Sequence, residues 1–156
     1  MLKSSFFCLF GLLSFSLCAQ NAPDVYLFNI STTPTTLKIT EGANISSNAG
    51  YDSQPSFYDD NTLLYSRTQD SLTAIGIYDL STKKTSLLTN EPNNGFFSPQ
   101  RLPETDHVVA VRQDPEGRQR IAEYDFKTKA FQRLRDSGQV GYFKFYDKDA
   151  FIASVL

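Results

Sequence analysis

The chain of 156 residues has two cysteines, one histidine, one methionine and no tryptophan. Both cysteines, Cys8 and Cys18, fall within the first twenty residues. The remainder has no thiol for a disulfide, a thiolate zinc site or a cysteine nucleophile. One imidazole, His107, is too few for a histidine zinc site. Charge is nearly balanced, with 15 basic and 17 acidic residues and a net of −2, so nothing electrostatic favours nucleic acid or an anionic membrane. No segment sustains apolar residues at i, i+3, i+4, i+7, and almost no helix is expected. The glycines form no phosphate cradle, and no Gly-x-Ser-x-Gly elbow is present for a serine nucleophile. No catalytic residue, metal site or cofactor is therefore assigned.

What is present is an aromatic, β-branched sequence that repeats. One series runs Gly50-Tyr51-Asp52-Ser53-Gln54-Pro55-Ser56-Phe57, Leu63-Leu64-Tyr65, then Ile77-Tyr78-Asp79-Leu80-Ser81-Thr82-Lys83. About 45 residues later it recurs as Gly95-Phe96-Phe97-Ser98-Pro99, Val108-Val109-Ala110-Val111-Arg112, then Glu123-Tyr124-Asp125-Phe126-Lys127-Thr128-Lys129. A period of that length, built of short strands and turns, predicts the radially repeated sheets of a β-propeller.

Residues 1–19 read as a secretory signal peptide. They hold one charge, Lys3, an apolar run from Phe6 to Leu13 and a small-residue exit at Cys18-Ala19-Gln20, with cleavage after Ala19. The run is too short for a spanning helix of about 20 residues. Leu17, just before Cys18, is bulkier than lipoprotein sites accept, so anchoring through Cys18 is not expected. Residues 20–156 are expected to form one exported domain, periplasmic or secreted, held by its core and by sheet hydrogen bonds.

Strands are expected at Asp24–Ile30, Thr35–Thr40, Gln54–Tyr58, Thr62–Arg67, Thr73–Leu80 and Thr85–Thr89. The series continues at Pro99–Leu102, His107–Gln113, Arg118–Phe126, Ala130–Leu134, Gly141–Tyr146 and Ala150–Val155. Asp59-Asp60-Asn61, Asp114-Pro115-Glu116-Gly117 and Asp147-Lys148-Asp149 carry turn chemistry, and Ser81–Lys84 and Lys127–Lys129 read as matched tight turns. Leu27–Thr32 resembles Ile77–Thr82 and supplies the outer strands of a blade; Gly141–Leu156 resembles the two inner strands. The expectation is an all-β chain of two four-stranded antiparallel blades and two half blades. Propellers have about four to eight blades, so three origins follow: part of a longer chain, an open fragment, or a homodimer completing six blades. The apolar strand Phe151–Leu156, unpaired in mid-sheet, makes truncation the expectation.

The repeat resembles the TolB-type propeller repeat. The matching residues are Pro55, Phe57, Asp59, Leu63, Leu64 and Tyr65, then Ile77, Tyr78, Asp79, Leu88 and Thr89. Tyr58-Asp59-Asp60-Asn61 replaces the family's Ser-Pro-Asp-Gly centre, and the second copy departs further at Arg101-Leu102-Pro103-Glu104. Gly50–Phe57, Ser98-Pro99 and Val140-Gly141-Tyr142 also resemble exported bacterial proteins described as TolB-like or WD-type propellers. The resemblance implies a periplasmic or secreted, non-catalytic, six-bladed propeller engaged in protein binding, with members longer than this chain.

Asp52, Gln54, Ser98 and Gln100 are the candidate ligand-binding residues. They lie at the start of innermost strands, where propellers bind ligands at the channel rim. Tyr51, Phe96 and Tyr142 follow glycines at the repeat interval and are expected to pack between blades. His107, at the start of an apolar strand, is expected at a strand edge on the surface. Asp59-Asp60-Asn61 is expected to serve a hairpin turn, not calcium.

The leading expectation is an exported, non-catalytic module that binds a protein or small ligand in the cell envelope. The alternative is the N-terminal propeller of a prolyl-oligopeptidase-type serine peptidase, which needs a following hydrolase domain with Gly-x-Ser-x-Gly. A structural alternative is self-assembly of two three-blade halves.

Overall fold

The computed structural model describes residues 22–136 and 138–156; the expected leader, with Cys8 and Cys18, lies outside them. All regular structure among the described residues is β, in 14 strands. The first complete blade is β5 (Asp52–Asp59), β6 (Thr62–Gln69), β7 (Leu72–Asp79) and β8 (Lys84–Leu87), paired antiparallel in that order. The second is β9 (Gly95–Arg101), β10 (His107–Gln113), β11 (Gln119–Asp125) and β12 (Phe131–Leu134). β13 (Val140–Phe145) and β14 (Phe151–Val155) form the inner half of a third.

Before the first blade, β1 (Tyr26–Leu27) pairs with β4 (Ala43–Asn44), and β2 (Ile30–Thr32) with β3 (Leu37–Ile39). The single strand expected over Asp24–Ile30 is thus broken, and β4 was not expected. The break falls where the Thr40 amide and hydroxyl both donate to the Asn29 carbonyl, at 3.0 and 3.2 Å. The region is nonetheless the outer hairpin of a blade. The Val25 amide donates to Ser46 Oγ at 3.0 Å, and the Ile45 amide to the Val25 carbonyl at 2.9 Å. The first blade repeats both bonds: Ile75 amide to Thr89 Oγ1 at 3.0 Å, Leu88 amide to Ile75 carbonyl at 2.9 Å.

The continuous apolar runs follow from burial of both sheet faces. Leu63 and Tyr65 pack with Val25, Ile45 and Tyr78, while Leu64, between them, joins Tyr58, Ile75, Ile77 and Leu88 against Phe96, Val108 and Tyr124 of the second blade. Val109 and Val111 turn the opposite way, onto Ile121, Val140, Phe143 and Phe145. Tyr58 and Phe126 stack across the first interface with ring centroids 4.0 Å apart, and the Arg101 guanidinium lies 4.8 Å from the Tyr58 ring.

Tight turns repeat with the blades. Asp79 Oδ1 accepts the Thr82 amide and Asp125 Oδ1 the Thr128 amide, each at 2.7 Å. Lys83 and Lys129 close these turns with φ of 56° and 59°. Asp59 Oδ1 accepts the Asn61 amide at 2.9 Å, an Asx turn.

Innermost strands begin earlier than their prolines imply. β5 and β9 run through Pro55 and Pro99 by means of bulges, with Gln54 (φ 56°) and Ser98 (φ 51°) in the left-handed region just before each proline. A bulge leaves the proline nitrogen unpaired without ending the ladder. Register also corrects the repeat alignment. Asp52 stands opposite Arg67 as Phe96 stands opposite Arg112. The Gly-aromatic pairs therefore match one residue out of step, and a one-residue slip reverses the face a side chain takes. Gly50 is small because a Cβ there would lie 2.9 Å from Thr68 Cβ.

Candidate functional site

The three innermost strands β5, β9 and β13 converge on one cleft of about 150 Å³. Its walls are Gln54, Pro55 and Ser56, then Ser98, Pro99 and Gln100, then Tyr142, Phe143 and Lys144. Gln54, Ser98 and Gln100 come together there; Asp52 does not line it. Ser56, Gln100 and Lys144 hold the same position in successive inner strands, opposite Leu64, Val109 and Ile152.

The polar groups also fasten the strands to one another. Gln54 Oε1 accepts the Ser98 amide and the Ser66 hydroxyl, both at 2.8 Å. Ser56 Oγ donates to the Pro99 carbonyl at 2.6 Å, and Gln100 Nε2 makes the same bond one blade on, to the Phe143 carbonyl at 3.1 Å. Gln100 Oε1 in turn accepts the Phe145 amide at 3.3 Å. Ser98 Oγ is buried with no hydrogen-bond partner among the described residues. Tyr142 and Lys144 are exposed on the same wall.

Asp52 sits apart, fully buried where the second blade has Phe96. Its Oδ1 accepts Asn48 Nδ2 at 3.2 Å; its Oδ2 has no hydrogen bond and lies 3.8 Å from Arg67 Nη1. Burial pushes its carboxyl above the ordinary value, against the pull of the Asn48 hydrogen bond and the Arg67 charge. Its amide holds the Pro23 carbonyl at 3.0 Å, which ties the N-terminal hairpin to the first blade.

Sequence reasoning missed Ser56 and Lys144, which aligning inner strands on Gln100 would have found. It also grouped Tyr142 with Phe96. Phe96 is buried between blades, whereas Tyr142 stands opposite Ser154 as Phe97 stands opposite Val111, and faces the cleft.

Ionisable groups elsewhere serve the interfaces. Glu123, buried, accepts His107 Nδ1 at 2.6 Å, Arg133 Nε at 3.0 Å and Arg135 Nη2 at 2.7 Å. Burial alone would raise its carboxyl, but hydrogen bonds from Arg133 and His107 and the arginine charges hold it down at about 2. His107 is thus half-buried and partnered, not a bare surface residue. Glu91, in the link between blades, accepts Tyr124 Oη at 2.5 Å and Arg112 Nε at 2.9 Å.

No helix among the described residues is long and apolar enough to cross a membrane. No family model matches the chain, and no curated protein does. Among solved structures the chain is similar to TolB from Acinetobacter baumannii, with a TM-score of 0.50 and 20% identity, over 77% of this chain and 28% of that one. The chain thus spans less than a third of that TolB. The likeness shows the fold: an all-β propeller segment of two blades and two half blades.

Proposed function

We propose that this chain is an exported, non-catalytic binding module, and that it presents the cleft between β5, β9 and β13 to a protein or small ligand in the cell envelope. The observation that carries the reading is the convergence of three equivalent inner-strand positions, Ser56, Gln100 and Lys144, with Tyr142 beside them, on one cleft. The Pro99 and Phe143 carbonyls there are already occupied by Ser56 and Gln100, so the exposed contacts offered to a partner are the Tyr142 ring and the Lys144 ammonium, with the unpartnered Ser98 Oγ buried behind them. An aromatic plane and a cation suit a partner with an acidic or amide-rich edge. The TolB-like fold supports a propeller used for protein interaction. Export rests on the leader at residues 1–19 and cleavage after Ala19, which the intact mass of protein recovered from the cell envelope checks.

Capture from an envelope extract tests the binding reading. The wild-type chain is expected to retain a partner that Tyr142→Ala and Lys144→Ala together release, with the strand circular dichroism unchanged. Equal retention by wild type and variant overturns the cleft as the site. Hydrolase activity of the purified chain overturns the non-enzyme reading.

A further inference from the structure

The cleft between β5, β9 and β13 is chemically one-sided. Its side-chain amide oxygens are spent: Gln54 Oε1 accepts the Ser98 amide and the Ser66 hydroxyl, and Gln100 Oε1 accepts the Phe145 amide. A backbone amide can only donate, so the Ser98 amide fixes Gln54 with its oxygen inward on that bond and leaves Nε2 as the free end. Gln54 Nε2 makes no hydrogen bond among the described residues. Ser98 lines the same cleft and is 5% exposed, and its Oγ has no hydrogen-bond partner among the described residues. Lys144 of β13 is exposed, and no ion pair or hydrogen bond holds its ammonium among the described residues.

The groups left over are therefore donors: the amide NH2 of Gln54, the hydroxyl of Ser98 and the ammonium of Lys144. No aspartate or glutamate lines the cleft. A buried hydroxyl without a partner is costly, and an anionic acceptor offers it the stronger, charge-assisted bond. An amide group would need an acceptor for its own N–H, and the side-chain carbonyls here are already used. A phosphate monoester, with about two negative charges, would meet a single cation. The volume of about 150 Å³ admits one functional group with a few carbons, and lies below the roughly 300 Å³ at which sites begin to enclose a whole small-molecule ligand.

We propose that this cleft binds a carboxylate group. The carboxylate oxygens accept from Gln54 Nε2 and Ser98 Oγ, Lys144 supplies the counter-charge, and the Tyr142 ring covers the adjoining carbons. A small organic acid and the terminal or side-chain carboxylate of a peptide present the same group. Carboxylate binding rests on the cleft reading of function and narrows the partner's edge to its acid.

Titration of the purified chain with sodium acetate at fixed ionic strength, followed by proton–nitrogen correlation NMR, reads the Gln54 side-chain NH2 and the Ser98 backbone amide directly. Acetate is expected to move both signals saturably, and acetamide, its neutral isostere, to leave them in place. Ser98→Ala and Lys144→Gln are each expected to weaken acetate about tenfold; should Ser98→Ala fail to fold, Lys144→Gln still decides. Equal shifts with acetamide, no saturable shift with acetate, or full acetate affinity in folded Lys144→Gln overturns the proposal. A short peptide with a free C-terminus separates the sources: saturation at lower concentration than acetate assigns the carboxylate to a polypeptide, and equal saturation to a small acid. The same peptide with an amidated C-terminus is expected to be inert, and equal binding by it overturns the proposal. Loss of the envelope partner in the Tyr142→Ala, Lys144→Ala variant while acetate moves nothing overturns the carboxylate and leaves the cleft standing; acetate saturation with no partner held does the reverse.

Discussion

Gln54 Oε1 accepts the Ser98 amide 2.8 Å away in the next blade, from a residue that is itself in the left-handed region before a proline. One side chain thereby couples the bulge of β5 to the bulge of β9, and a second bond from Ser66 fixes its orientation. The rim of the cleft is built from the contacts that hold the blades in line.

Replacing Gln54 by Ala strands the buried Ser98 amide and is expected to cost about 1–3 kcal/mol. Gln54→Glu keeps an acceptor and should cost less. Urea unfolding of the two variants measures the difference; equal costs would mean that side-chain packing, not the acceptor, matters at this position.

Glu123 predicts acid sensitivity. Its folded carboxyl is held at about 2, against an ordinary 4.5, so from about pH 5 down to about 2 the unfolded chain takes up a proton that the folded chain refuses. Stability present above that window, on the order of 3 kcal/mol from this group, is lost as pH falls through it. Glu123→Gln should flatten this part of the stability profile and cost about 3 kcal/mol at neutral pH, the contribution the ionised carboxylate makes there.

Tyr124 predicts the opposite limb. Burial first, then its hydrogen bond and proximity to Glu91, push the phenol well above its ordinary 10.0. Below about pH 10 both states hold the proton; above it only the unfolded chain releases it, so stability falls with rising pH. Ultraviolet titration should show one tyrosine ionising only as the chain unfolds, and Tyr124→Phe should remove that delayed step.

Gly76 stands opposite Tyr65, where an added Cβ would lie 2.9 Å from the ring. Tyr65 is fully buried, donates or accepts with Thr85 at 3.3 Å and accepts Arg67 at 2.9 Å, so it has no room to move. Gly76→Val is expected to destabilise by about 1–3 kcal/mol through overpacking, read as a lowered thermal midpoint.

Much of the fold was legible along the chain. Leu63-Leu64-Tyr65 and Val108–Val111 read as apolar strands, and they are buried on both sides because both faces of a blade meet neighbours. Ser81–Lys84 and Lys127–Lys129 read as matched tight turns, and in the structure Asp79 and Asp125 cap them locally through the Thr82 and Thr128 amides. The candidate site was legible in part: Gln54, Ser98 and Gln100 share a cleft, while Asp52 stands behind it in a position the next blade gives to phenylalanine.

What the sequence determined by itself was local and periodic: the strand content, the turns, the blade repeat and the complementary half blades at either end. Those follow from side-chain alternation and backbone preference within a few residues. The tertiary structure alone decided register. A bulge absorbs one residue without changing composition, so Gly-Tyr and Gly-Phe pairs that look equivalent point to opposite faces. Long-range pairing likewise turned His107, read as a bare strand end, into a partner of Glu123, since the two meet only when β10 and β11 lie side by side.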